Sequence, residues 1–309
     1  MVMKQFVTFL IFTFLITNLN AQLPGSGVSS QSGVLDGVYI QAHVPTKRLI
    51  QYTHLREADV LWGKRVWRTI DLKEKMNHKL YYPLEPLSDR LSLYDIIRYG
   101  ALEADEITLY DLKGLQLDDR FRFPVRPKNG RVDDPEHRNR LEEYFGYIEY
   151  SDSIDAQGPV KDKNGDIIQV KEITPYTSKE IVQYKIKEDW FFDKQRSVLE
   201  VRIIGIAPVV YSKNPISKEI DGLKTLFWLY FPECRYLFQQ FTVYNPSNDA
   251  QRMSFDDLFW KREFSSYIYK ESNVFNRDIS PNYEGLNALL ESERIRNEIF
   301  LFEHDLWHF

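Results

Sequence analysis

The densest pattern in the chain runs from Leu55 to Ile70. There Leu55, Ala58, Trp62 and Val66 recur at helical spacing and Leu61 and Ile70 widen the apolar stripe. Glu57 and Asp59 fall in what would be its first turn, and Lys64, Arg65 and Arg68 in its later turns, the polarity that a helix dipole favours. The pattern predicts a helix from Arg56 to Met76, closed by Asn77-His78, with Tyr81 to Pro86 extended because each proline disfavours helix in the residue before it. Ser92-Leu93-Tyr94-Asp95 reads as a capping box with Asp in the Glu position, opening a second helix through Ile96, Ile97 and Ala101. Glu106 to Tyr110 then alternates as a strand.

Arg120 to Arg140 is polar, with Pro124, Pro127, Pro135 and a candidate tight turn at Asn129-Gly130, and Asn139 to Ile148 is expected as a short helix. Beyond it the pattern turns to strands. Ile181 to Phe192 and Val198 to Ala207 read as a hairpin about Asp193 to Ser197. Leu226 to Phe231 is almost wholly apolar, as in a strand covered on both faces, and Glu233 to Tyr244 is expected to be helical. The tail echoes the opening unit: Trp260 set against Trp62 aligns Asp257 with Asp59, Arg262 with Lys64 and Ile268 with Ile70, and Glu298-Ile299 then meets Glu106-Ile107. The expected fold is therefore α+β, mixed helices with an antiparallel sheet, built from a duplicated helix-linker-helix-strand unit. One apolar period would produce many of the same matches by chance.

The N-terminus changes the picture. Lys4, the apolar run Phe6 to Ile16 and the small-residue boundary at Ala21 have the form of a secretory signal peptide, and the run is shorter than the roughly 20 apolar residues of a membrane span. Gln22 to Asp36 is rich in Gly and Ser and reads as a flexible leader. Val38 to Val44 alternates as a short strand stopped by Pro45. The expected organisation is a signal peptide over 1–21, a leader over 22–37, an N-terminal α+β unit over 38–150, a polar seam over 151–180 and a C-terminal α+β unit over 181–309. Removal of Lys4 with the signal takes the formal charge from −5 to −6, which argues against general nucleic-acid binding. Cys234 is the only cysteine, so an intramolecular disulfide is excluded, and its apolar neighbours predict a buried thiol. Stability must come from burial, for which 43% apolar and 15% aromatic residues suffice.

Residues that carry chemistry are sparse. His43, His54, His78 and His137 share no spacing, while His304 and His308 lie four apart but lack the Glu that a zinc-protease motif places after the first histidine. In Asp162-Lys163-Asn164-Gly165-Asp166 the glycine falls too early for a calcium loop, and Gly25-Ser26-Gly27 has no following Gly-Lys-Ser/Thr. Gly205 to Pro208 is expected at a strand end, without a nucleophile elbow. Asp133-Asp134 and Asp256-Asp257 are acidic pairs of the type used in acid and base catalysis, the second better explained as the first turn of a helix after Ser254. No catalytic, cofactor or metal residue is assigned. What remains is aromatic: six tryptophans, of which Trp67, off the main stripe and flanked by Arg65 and Arg68, makes a candidate contact patch, because Trp and Arg dominate interface hot spots. The competing placement is a helix buried on two sides.

Four segments carry a resemblance: Arg56 to Val60 with Lys64 to Leu72, Ile204 to Pro208, Phe227 to Arg235, and Phe264 to Asn273. Together they resemble the gliding-motility GldN/PorN family across nearly all of the mature chain. The resemblance implies a periplasmic component of the type IX secretion system, forming a ring with the lipoprotein GldK/PorK beneath the outer membrane and engaging the periplasmic part of the motor protein GldM/PorM. It implies no catalytic residues, and the lipoprotein would supply the anchor that this chain lacks. An exported carbohydrate-binding protein or glycan hydrolase, with aromatics as stacking platforms, is the alternative. Such a protein would align several tryptophans along one open groove, whereas an assembly subunit would spread apolar patches over separate faces.

Overall fold

The computed structural model describes residues 48–306 apart from 88–89, 113–118, 128–133, 153, 156–157, 160–168, 214–219, 246–247, 249–251 and 281–282. The signal peptide, the leader, the Val38 strand, Asn129-Gly130, Asp133, Asp162 to Asp166, Trp307 and His308 lie outside them.

The first element corrects the opening expectation. Glu57–Asp59 is a single 3-10 turn, and Val60–Asp71 is not a helix but a twelve-residue strand, β1. Val60, Val66, Thr69, Ile70 and the two tryptophans are strand formers that pack well on a pleated surface. Both faces of β1 are covered from Val66 to Ile70, so the sequence loses the apolar-polar alternation of a half-exposed strand and mimics helical spacing.

Next come helices α1 (His78–Tyr81) and α2 (Leu93–Leu102), strand β2 (Leu109–Tyr110) and helix α3 (Pro135–Tyr144). Strands β3 (Gly146–Asp152), β4 (Ile154–Asp155), β5 (Gly158–Pro159) and β6 (Gln169–Pro175) form two small pairs, β3 with β6 and β4 with β5. The long hairpin β7 (Ile181–Asp193) and β8 (Val198–Lys213) precedes β9 (Ile220–Thr225), β10 (Trp228–Tyr230), α4 (Phe231–Gln240), α5 (Phe255–Trp260), β11 (Tyr267–Glu271) and α6 (Leu286–Asp305).

The main sheet has seven antiparallel strands in the order β11-β1-β7-β8-β10-β2, with β9 also paired to β8. It draws strands from both sides of the polar stretch 151–180. The α+β class and the β7-β8 hairpin match the sequence reading. So does the cap of α2, where Ser92 Oγ accepts from the Asp95 N–H at 3.2 Å. Asp134 caps α3 by accepting from the Glu136 N–H, so this helix begins ahead of the expected Asn139, and Gly146 to Ile148 belongs to β3 instead. Gly205 to Pro208 lies within β8 rather than at its end.

The duplication does not survive. Trp62 sits in a strand and Trp260 ends a six-residue helix, while Glu298-Ile299, the expected final strand, lies in the 20-residue helix α6. Matched apolar positions satisfied a period of two in one copy and of 3.6 in the other.

Helices α2, α4 and α5 cover one face of the sheet. Tyr94, Ile97, Phe231, Phe238 and Phe259 meet Ile70, Tyr184 and Ile186 there in the largest core. A smaller cluster on the same face joins Val66 and Ile268 to Ile279, Ile295 and Ile299 under α6. The opposite face carries a thinner layer of Trp67, Ala207 and Trp228 with Tyr110, Phe121 and Tyr269. Phe121 is drawn close by Gly205, where a Cβ would come within 2.6 Å of the Phe121 ring. Absence of a side chain at 205 is what lets that layer seat.

Candidate assembly surfaces

Among the described residues, helix α6 is held to the sheet through its inner face. Ile295 and Ile299 are buried, and Trp62 of β1 stacks on Phe302 with centroids 4.4 Å apart. Lys64 Nζ bridges Glu271 of β11 at 2.8 Å and Glu298 of α6 at 3.1 Å. Ser292 Oγ accepts from the Ile268 N–H at 2.9 Å, satisfying a backbone donor of the edge strand β11.

The outer face of α6 is also apolar. Leu289, Leu290, Phe300 and Leu301 are between 55% (Leu301) and 61% (Phe300) exposed, and Leu286 is more exposed still. A helix with apolar residues all round is normally buried on all sides. Here the second stripe faces solvent, the condition that marks a contact surface. The loop after β11 adds the exposed side chains Val274 and Phe275.

A second surface lies on α4 and α5. Trp260 is 46% exposed and Tyr236 is exposed as well. The segment 48–56 lies over this side: Arg235 Nη2 donates to the Ile50 carbonyl at 2.8 Å and Arg202 Nη2 to the Thr53 carbonyl at 2.8 Å. Tyr52 stacks on Trp260 at 5.6 Å, with the Arg235 guanidinium 4.3 Å and the Arg202 guanidinium 5.0 Å from its ring centroid. Burial raises the Tyr52 pKa, with Arg235 opposing. Arg235 is itself anchored below by Asp256, Nε to Oδ1 at 2.7 Å, and Asp256 stands in the first turn of α5 after the Ser254 cap.

The three residues proposed from the sequence as a contact patch are separated. Arg65 is exposed and pairs with Asp189 at 2.5 Å. Trp67 shares its face of β1 but is buried, its indole N–H donating to Asp119 and its ring lying under Lys270 at 4.8 Å and Lys187 at 5.6 Å. Burial lowers the Lys187 pKa, with Asp119 opposing. Arg68 points through the other face, where its Nε lies 3.3 Å from the fully buried Glu188. Arg262 Nη2 meets the other Glu188 oxygen at 2.8 Å, and the Trp190 indole donates to Glu188 at 3.1 Å. This ionic group lies between Val66 of the smaller core and Ile70 of the larger. Burial depresses the Arg68 pKa and Glu188 opposes that shift.

Among the described residues no group of three or more His, Cys, Asp or Glu side chains has a metal-holding geometry. His54 and His304 are exposed, while His137 is buried in α3. The Cys234 thiol is fully buried and desolvation raises its pKa, so it is protonated and inert at neutral pH, as its apolar neighbours predicted. The sequence reading missed the outer stripe of α6. The signal was present as two apolar lines on opposite sides of residues 286–305, but the strand expected at Glu298-Ile299 concealed it.

A family model described as gliding motility associated protein GldN matches residues 55–308. The chain belongs to the GldN family. The matched region runs from just before β1 through α6, and so spans α4, α5 and α6 but not Ile50, Tyr52 or Thr53. No curated protein matches the chain. Among the described residues no helix is long and apolar enough to cross a membrane.

Proposed function

We propose that this GldN-family protein is a non-enzymatic structural subunit of the type IX secretion and gliding machinery. In this reading it is exported by the signal peptide over 1–21 and works in the periplasm as part of a ring. The lipoprotein GldK/PorK holds it to the inner face of the outer membrane, and GldM/PorM contacts it from the motor side.

The observation that carries the reading is the distribution of apolar surface. Of the tryptophans among the described residues only Trp260 is exposed, and it is stacked on Tyr52; Trp67 and Trp228 are buried, and Trp62 and Trp190 are partly covered. A stacking platform for a glycan needs several aromatic faces open along one groove. The exposed apolar residues are instead spread over separate places, among them the α6 outer face, the Val274-Phe275 loop, the α4-α5 side, Leu61 of β1 and Ile220 with Leu223 of β9. That is the distribution expected of a subunit with several neighbours. Arg65 is the exposed member of the patch read from the sequence, and its exposure supports a direct contact with a partner.

The test is a pull-down of the tagged protein from detergent-solubilised envelopes. Co-recovery of the lipoprotein and of the motor's periplasmic component is the expected result. Recovery of this chain alone, under conditions in which the lipoprotein is extracted, would overturn the proposal.

A further inference from the structure

Two features of α6 combine. Its outer stripe has apolar doublets at Leu289-Leu290 and Phe300-Leu301, and between them the polar residues Glu293, Arg296 and Asn297. The doublets are separated by about three helical turns, so both fall on one side of the helix. Each is also equally distant from residue 295, so the stripe reads the same in both directions: apolar doublet, polar centre, apolar doublet. At the centre Glu293 and Arg296 carry opposite charges and already pair along the helix, Oε1 to Nη2 at 2.6 Å.

We infer that α6 is a two-fold contact, and that its occupant is the α6 of a second copy of this chain, packed antiparallel about residue 295. In that arrangement Leu289 of one copy meets Phe300 of the other and Leu290 meets Leu301, each twice. Glu293 of each copy falls beside Arg296 and Asn297 of the other, so the charged centre is complementary to itself. A foreign partner would need the apolar residues but would place no demand that they repeat symmetrically about one point, whereas an isologous contact requires it. The pairing buries a stripe that is apolar yet exposed in the single chain, without moving the inner face that Trp62, Lys64 and Ser292 hold. A two-fold contact closes after two copies, so any larger ring uses a different surface for its next contact. The inference stands on α6 alone and not on the partners proposed above.

The test uses the mature full-length chain with Leu290→Cys and Leu301→Cys combined, treated with a short bismaleimide. Within one helix these positions are about 16 Å apart at a rise of 1.5 Å per residue, beyond the reach of a short linker, and the native Cys234 is buried. The expected product is a closed dimer with no higher species. A monomer only, or a ladder of trimers and larger products from a head-to-tail contact, would overturn the inference. Leu290→Glu with Phe300→Glu should raise the dimer dissociation constant at least tenfold while circular dichroism stays unchanged. Glu293→Lys alone should weaken the dimer, and Glu293→Lys with Arg296→Glu should restore it; failure of the double reversal to recover dimer in a folded protein would contradict the self-complementary centre.

Discussion

Trp67 and Arg68 are adjacent in the chain and lie on opposite faces of β1. The indole is bound into the thin layer with Asp119 and Lys187, and the guanidinium is bound to Glu188 on the helix-covered face. A substitution at either therefore reports on folding before it reports on assembly. Trp67→Ala removes a buried aromatic side chain and should cost about 3–5 kcal/mol in chemical denaturation. Arg65→Ala breaks only an exposed pair with Asp189 and should cost less than about 1 kcal/mol. If partner recovery falls with Arg65→Ala while stability is kept, the effect belongs to the surface.

Glu188 is fully buried with Arg68 and Arg262 on its two oxygens. Glu188→Gln leaves two cations without their counter-charge between the two cores, and a loss of about 3–5 kcal/mol is expected. Glu188→Met with Arg68→Met replaces the buried pair by apolar volume and should recover part of that loss. Urea titration of the single and double variants checks the pair.

Gly205→Ala places a methyl where Phe121 and Trp228 close over β8. Overpacking of this kind should cost about 1–3 kcal/mol. The displaced Phe121 should also increase solvent access to Trp67, seen as a red shift of tryptophan emission.

Much of this architecture was legible beforehand where local chemistry acts alone. The Ser92 and Ser254 caps, the turn between β7 and β8 and the buried thiol of Cys234 depend on neighbours within a few residues, and each was readable from its segment. β1 was not readable, because cover on both faces erases the alternation that distinguishes a strand, and the cover comes from α6 and from Phe121, both distant in sequence. The same limit hid α6. Its two stripes make sense only once one is seen packed on β1 and β11 and the other left outside. Of the contact patch, a helical reading brings Arg65, Trp67 and Arg68 together, whereas the strand sends Arg65 and Trp67 to one face and Arg68 to the other, with Trp67 and Arg68 buried.

Asp193 organises the β7-β8 turn. Its Oδ1 accepts from the Gln195 N–H at 2.9 Å and its Oδ2 from Arg196 Nε at 2.6 Å. The Arg196 bond, with the backbone donors, lowers the carboxyl pKa below its ordinary 3.8. A carboxylate depressed on folding stabilises the protein above its unfolded pKa, and that contribution disappears as pH falls through the folded value. Asp193→Asn should therefore be less stable than wild type at neutral pH, and the two should converge below pH 3.8, as thermal melts across an acid series will show.

The central claim is that this GldN-family chain works through its exposed apolar faces as a building block. The most direct measurement is the mass of the particle that carries the tagged protein after mild detergent extraction, by size-exclusion chromatography with light scattering. A particle of many subunits, which shrinks when Leu290→Glu and Phe300→Glu are introduced into a chain that remains folded, is the predicted result. A particle with the mass of one chain, or one whose size is indifferent to those substitutions and to changes at Trp260 and Tyr236, would contradict it.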